Sequence, residues 1–319
     1  MNIAAEPIYQ LTIPTPFPVG PVHVYLICGE LVTLFDSGPL TKKGMHELER
    51  QLASIGYKLD DIDQIILSHH HPDHIGLTNK FKRAKTIGHE KLRPWLEKNE
   101  LFFQQYTDYL KSFYVKNGVP PELMKKIESA SHSYLNYTER RSLDIIVKEG
   151  DNVPGLPGWI VHEVPGHAQN HIMIMREEDR LALGADVLLA SVSSNALLEA
   201  PMEGEERPKT LLQYRDSLRK VRDLEISVLM PGHGEMIKDV DSLVEQRLLK
   251  HTKRAEAILE ILSFRKMNAN QIAYELFQEK HRMQPDLTIS ETIGHLDLLL
   301  EYNQVKTKEI DEYTLYFIE

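Results

Sequence analysis

Ser68-His69-His70-His71-Pro72-Asp73-His74-Ile75-Gly76 decides the reading of this chain. It follows a short apolar run at residues 63–67, the pattern of a buried strand. In an extended stretch, residues two apart point the same way, so His69 and His71 can share one ion while His70 faces elsewhere. Pro72 suits the first turn of a helix, and Asp73 is electrostatically favoured near that N-terminus. The strand-to-helix corner therefore presents Asp73 and His74 beside the first pair. Imidazole and carboxylate ligands suit zinc or another first-row ion.

Four further positions share a setting, each in a loop after an apolar run. Asp36 ends Leu34-Phe35-Asp36, and His167 lies in Val164-Pro165-Gly166-His167. Asp186 ends Leu183-Gly184-Ala185-Asp186, and His233 lies in Met230-Pro231-Gly232-His233. Alone, each is a weak signal, since a lone histidine after Pro-Gly is more often an ordinary turn residue than a ligand. Their ordered appearance after the His/Asp cluster carries the weight.

Working outward, strands are expected at residues 8–13, 22–28, 31–35, 143–147, 160–164, 172–175, 181–183 and 227–230. Helices are expected at 42–55 and 210–222. Two β-rich halves backed by helices predict two packed sheets with helices outside, an α/β (α+β) architecture. Residues 91–141 read as a helical insertion. They hold Trp95, Phe102, Phe103, Tyr106, Tyr109, Phe113, Tyr114, Tyr134 and Tyr137, which are 9 of the chain's 24 Phe, Trp and Tyr residues. Its position between the His69–His74 and His167 motifs predicts a lid supplying an apolar wall, with Phe103 and Tyr106 exposed. Residues 1–244 are thus expected to form one domain, and 245–319 a second. In that tail a long helix runs through Ile258 and Leu262, and a shorter one is capped by Asn268. A third is expected to open on the capping box Thr288-Ile289-Ser290-Glu291, followed by a terminal hairpin.

The 319 residues include 37 Lys/Arg and 47 Asp/Glu, a net charge of −10 that argues against a nucleic-acid or anionic-membrane partner. The tail alone has 10 Lys/Arg against 13 Asp/Glu, so DNA binding is not expected of it. No apolar stretch approaches the ~18 residues of a membrane span, and residues 1–20 lack a secretory pattern. Cys28 has no partner for a disulfide, which places the chain in a reducing cytoplasm and reads as a buried, inert thiol. His171 and His70 read as structural, and His23 as a possible border of the pocket. The basic stretch from Arg207 to Arg222 reads as a solvated helix face.

Residues 8–240 resemble the metallo-β-lactamase-fold hydrolases, on the His69–His74 cluster and the Asp36, His167, Asp186 and His233 motifs together. The resemblance implies an αββα sandwich with a two-metal site at one edge. His69, His71 and His167 would hold one ion, Asp73, His74 and His233 the other, and Asp186 would bridge them. Asp36 would orient a ligand histidine. True lactamases of that superfamily usually lack the bridging aspartate. The di-iron branch has Glu at the place of His71 and an added flavodoxin domain. The nuclease branch with a large domain inserted after the Asp186 motif fits poorly, since only 46 residues separate Asp186 from His233. The chain is most similar to the glyoxalase-II-like group, and the tail resembles the winged-helix extension of some members. The implied cofactor is two divalent transition-metal ions, zinc first, with iron or manganese as alternatives. The implied reaction is hydrolysis of a small thioester, ester or lactone by a metal-bound hydroxide that Asp73 orients. The competing readings are a phosphodiesterase or endoribonuclease using the same ions, and a non-catalytic metal-sensing regulator. A small acyl substrate and a possible homo-oligomer complete the expectations.

Overall fold

The structure is a computed structural model that describes residues 6–319, the side chains of Ser131 and His132 excepted. Six strands form the first sheet in chain order: β1 (Ile8–Ile13), β2 (Val22–Cys28), β3 (Val32–Phe35), β4 (Gln64–Ile66), β5 (Lys85–Gly88) and β6 (Ile145–Ile146). The first three pair antiparallel, and β3 through β6 pair parallel. The second sheet runs β10 (Val228–Pro231), β9 (Leu181–Ala185), β8 (Ile172–Arg176), β7 (Trp159–Glu163).

Side-chain alternation divides the core. Tyr25, Ile27, Phe35 and Ile66 face Val161, Ile174, Leu183 and Met230 between the sheets. Their neighbours Val24, Leu26, Leu34 and Ile65 turn outward against Leu48 and Leu52 of α1 (Lys42–Ser54). On the far side, Met173, Met175 and Ala182 meet Tyr214, Leu218 and Val221 of α6 (Thr210–Asp223). A strand buried on both faces reads as continuously apolar, which is why β2, β4 and β8 stood out in the sequence. β5 did not. Its Lys85-Thr86-Ile87-Gly88 has one large apolar residue, and its extended form depends on parallel partners on both sides.

The insertion comprises α3 (Arg93–Leu96), α4 (Glu100–Lys116) and α5 (Pro121–Leu135), between β5 and β6. Its aromatics pack on one another: Trp95 meets Phe102, Phe103 and Tyr106 edge-on at centroid distances of 5.0–5.5 Å. Phe103 and Tyr106 are half-buried, not exposed as expected. Cys28 is half-exposed at the end of β2 rather than buried.

The tail holds α7 (Val240–Leu262), α8 (Ala269–Phe277), α9 (Glu279–Met283), α10 (Pro285–Glu301) and the hairpin β11 (Lys306–Ile310) and β12 (Tyr313–Phe317). Position 244/245 lies inside α7, whose N-cap is Asp239. Asn268 caps α8 in a capping box with Gln271. The expected start at Thr288 is corrected: α10 begins at Pro285, and the Thr288 hydroxyl instead bonds back to Gln284 and Pro285 carbonyls. Most of α10 is buried, and its Ile293, Leu296 and Leu299 share one core with Leu211 and Leu218 of α6. Gly294 lets the two helices meet, since a Cβ there would lie 2.8 Å from Leu211 Cβ.

Candidate metal centre

Five loops at one edge of the sandwich bring the sequence-predicted residues together. Asp36 follows β3, the His69–His74 segment follows β4, His167 follows β7, Asp186 follows β9 and His233 follows β10. Pro72 and Asp73 open the short helix α2 (Pro72–Ile75), which places Asp73 and His74 over the same cavity as the preceding histidines. Asp36 adopts a left-handed backbone at φ 65°, which turns its carboxylate back toward β4.

Two triads result. His71 Nδ1 lies 2.9 Å from His69 Nε2 and 3.0 Å from His167 Nε2. In the second, Asp73 Oδ2 lies 3.2 Å from His233 Nε2, and Asp73 Oδ1 lies 4.0 Å from His74 Nε2. Asp186 Oδ2 stands between the triads, 3.6 Å from His167 Nε2, 3.6 Å from His74 Nε2 and 3.7 Å from His233 Nε2. Ligand atoms on one tetrahedral ion are separated by about 3.3 Å when each bond is about 2.0–2.1 Å, so these spacings fit metal ligation.

The ring tautomers are fixed from outside. His74 Nδ1 donates to Asp36 Oδ2 at 2.7 Å, His167 Nδ1 to the Asn195 carbonyl at 2.8 Å, and His233 Nδ1 to the Pro21 carbonyl at 2.8 Å. Ser68 Oγ gives its proton to Asp36 Oδ2 and so accepts from His69 Nδ1. Each of these four rings, when neutral, then presents the lone pair of Nε2 to the centre. The proton that His71 Nδ1 can carry cannot satisfy all of them. His74 Nε2, His233 Nε2 and Asp186 Oδ1 are buried with no hydrogen-bond partner. Converging lone pairs with orphaned buried atoms are what a cation would satisfy. The donor set of five imidazoles and two carboxylates therefore fits divalent metal ions, and three groups of these residues have ligand atoms close enough to hold one.

Charge follows the same division. Burial lowers the pKa of His69, His71 and His167, with neighbouring rings adding to the fall for the first two. Burial also opposes charge on His74 and His233, but Asp186 and Asp73 outweigh it and raise both, with Asp36 assisting at His74.

Other residues support the centre, Asn170 and Glu199 among them, which the sequence reading left unnamed. Asn170 accepts the His70 backbone N–H at 3.1 Å, and the His70 ring stacks on Trp95 at 3.9 Å and 16°. His70 is thereby held against Trp95 of the insertion. Glu199, buried and pushed up to about 7 by desolvation, accepts the Gln169 N–H at 2.9 Å. No local pattern marks either contact, because each joins residues at least 30 positions apart. His23 Nε2 donates to the Gly234 carbonyl at 2.8 Å and so braces the His233 loop. His171 bonds the Val164 carbonyl beside His69. In the Arg207–Arg222 stretch Arg207 pairs with the buried Asp297, whereas Lys209, Arg219, Lys220 and Arg222 pair with exposed carboxylates, as a solvated face would.

A model of the metallo-beta-lactamase superfamily matches residues 17–233. The chain is 39% identical over 316 residues to "Probable metallo-hydrolase YqjP" of Bacillus subtilis, covering 99% of this chain and 98% of that one. It superposes on the crystal structure of a metallo-beta-lactamase family protein from Thermus thermophilus with a TM-score of 0.82, at 27% identity and 98% coverage of both. A more distant relative, an atrochrysone carboxyl ACP thioesterase of Aspergillus fumigatus, is 26% identical over 147 residues, 46% of this chain and 32% of that protein. Among the described residues no helix is long and apolar enough to cross a membrane.

Proposed function

The chain belongs to the metallo-beta-lactamase superfamily and is a metallo-hydrolase with a histidine/aspartate metal site, and from that premise we propose that it cleaves a small thioester, ester or lactone with two ions. The observation that carries the dinuclear reading is Asp186 Oδ2, set at near-equal distances from His167 of one triad and from His74 and His233 of the other. His69, His71 and His167 would hold one ion, and Asp73, His74 and His233 the second, with zinc the first candidate metal. Bound there, the ions would supply Lewis acidity to a carbonyl oxygen and acidify a water molecule. Asp73, as the carboxylate of the second triad, would accept a hydrogen bond from that water and so orient it. Asp36 acts through His74 by holding its Nδ1 proton, which keeps Nε2 available.

Two observations favour an acyl substrate over a phosphodiester. Arg207 and Lys209 pair with Asp297 and Glu301 of the tail, and the tail itself carries net −3 (10 − 13). The likeness to a fungal ACP thioesterase points the same way. We read the three longer tail helices and the hairpin as winged-helix-like, residues 1–244 as the hydrolase domain, and the lone Cys28 as suited to a reducing cytoplasm. The test is a screen of zinc-, manganese- and iron-loaded protein against acyl thioesters, aryl esters, lactones, a bis-aryl phosphodiester and RNA. Acyl turnover abolished by a chelator is expected. Cleavage of RNA or phosphodiester alone would replace this reading with the nuclease one.

A further inference from the structure

We propose that the C-terminal tail is a positioning part of the metal centre, acting through Arg247 and Ser290 on the segment that fixes His167. This rests on the reading of His167 as a ligand. Between β9 and α6, residues 186–209 form neither helix nor strand. A connection that long without its own backbone ladder has to be held by its surroundings. Its inner side faces the site: the Asn195 carbonyl takes the His167 Nδ1 proton, and Glu199 takes the N–H of Gln169, two residues further on. Its outer side faces the tail.

Arg247 of α7, only 3% exposed, aims Nη2 at three carbonyls of this segment, Leu189 at 2.8 Å, Ala190 at 3.2 Å and Val192 at 2.9 Å. From α10, Ser290 Oγ accepts the Leu198 N–H at 3.1 Å, one residue before Glu199. The sandwich adds Tyr214, which donates to the Val187 carbonyl at 3.0 Å, and a long contact from Thr210 to Ala196. Asn195 therefore sits between two points pinned by the tail, and Glu199 directly follows the second. An aliphatic side chain would fill the place of Arg247 without desolvating a charge. What the guanidinium adds is the fixed path of the chain between Asp186 and the His167 support. Loss of that path would let Asn195 drift and free the His167 ring to rotate or change tautomer.

The experiment uses full-length protein stripped of metal and titrated with cobalt(II), whose visible absorption reads ligand number and geometry. Arg247→Met, judged folded by circular dichroism, is expected to bind cobalt about tenfold more weakly, the lower end for loss of a ligand's support, and with altered bands. Arg247→Lys should recover most of the affinity, and Ser290→Ala should show a smaller loss in the same direction. A purely structural role would lower the unfolding midpoint of the metal-free protein yet leave affinity and spectrum of folded molecules unchanged. That result overturns the proposal. Should Arg247→Met fail to fold, Ser290→Ala decides on the same readout. A wild-type protein that binds no cobalt would instead overturn the metal reading of the centre itself.

Discussion

Gly232 shows how closely the site is packed. A Cβ at this position would lie 2.3 Å from Asp186 Oδ1 and 2.9 Å from His74 Cε1, so no side chain fits while both keep their places. Its backbone is already committed, donating to the Ala185 carbonyl and accepting from His23 N–H, both at 2.7 Å. The added methyl of Gly232→Ala would push the Asp186 carboxylate off the line between the triads. We expect this variant to fold and to bind less metal per chain, with kcat/KM down at least about tenfold. Metal analysis after dialysis, alongside thermal unfolding, checks this. Full metal content with full activity would show that Asp186 does not need its present position.

At the scale of elements, α10 is tied to the loop before α6 by a largely buried ion pair. Arg207 meets Asp297 bidentately at 2.9 and 2.6 Å, with the guanidinium 5.0 Å from the Phe113 ring centre of α4. Three parts of the chain thus join at one charge. Asp297 has a side chain only 6% exposed, so removing its partner leaves a carboxylate without compensation. Arg207→Met should cost about 3–5 kcal/mol in urea unfolding of the metal-free protein, the usual range for breaking a buried pair. Adding Asp297→Leu should recover much of it, because the stranded charge is then gone. A loss below about 1 kcal/mol would mean the pair is more solvated than its burial indicates.

Across the whole molecule, the tail joins the sandwich over an interface that carries buried histidines. His251 of α7, held down to about 3 by burial, faces His295 of α10, Arg215 of α6 and Arg247 of its own helix. No carboxylate figures among the charges acting on it. Its folded pKa lies below the unfolded value of about 6.5, so the unfolded chain binds the extra proton between those limits. The penalty is nearly absent above pH 7 and grows as pH falls from about 6.5 toward about 3. At pH 5 this residue alone should remove about 2 kcal/mol relative to pH 7. Replacing it by leucine should lessen the pH dependence by that amount, read from urea midpoints of both proteins at pH 5 and 7. Parallel pH profiles would show that His251 stays neutral in the unfolded chain or is solvated in the folded one.

The sequence by itself determined the two-sheet sandwich, since strands buried on both faces must be written as apolar runs, and β1 and β2 could be bounded to the residue. It also named His69, His71, Asp73 and His74, because alternation along an extended segment and a proline at a helix start are local rules. His167, Asp186 and His233, by contrast, were marked only by their order along the chain and by the family resemblance. Only the tertiary structure decided what lies between those residues. Ser68 sits within the quoted segment, but its role depends on Asp36, 32 positions away. β5 exists through its neighbours' hydrogen bonds, and α10 starts at Pro285 because it is packed on several sides, so the capping pattern at Thr288 never acts as a cap. The contacts of Arg247 with three carbonyls, 55 to 58 positions away, follow from how α7 docks. Backbone groups carry no sequence signature, so the partners that hold His167 and the loop beside it were decided by folding alone.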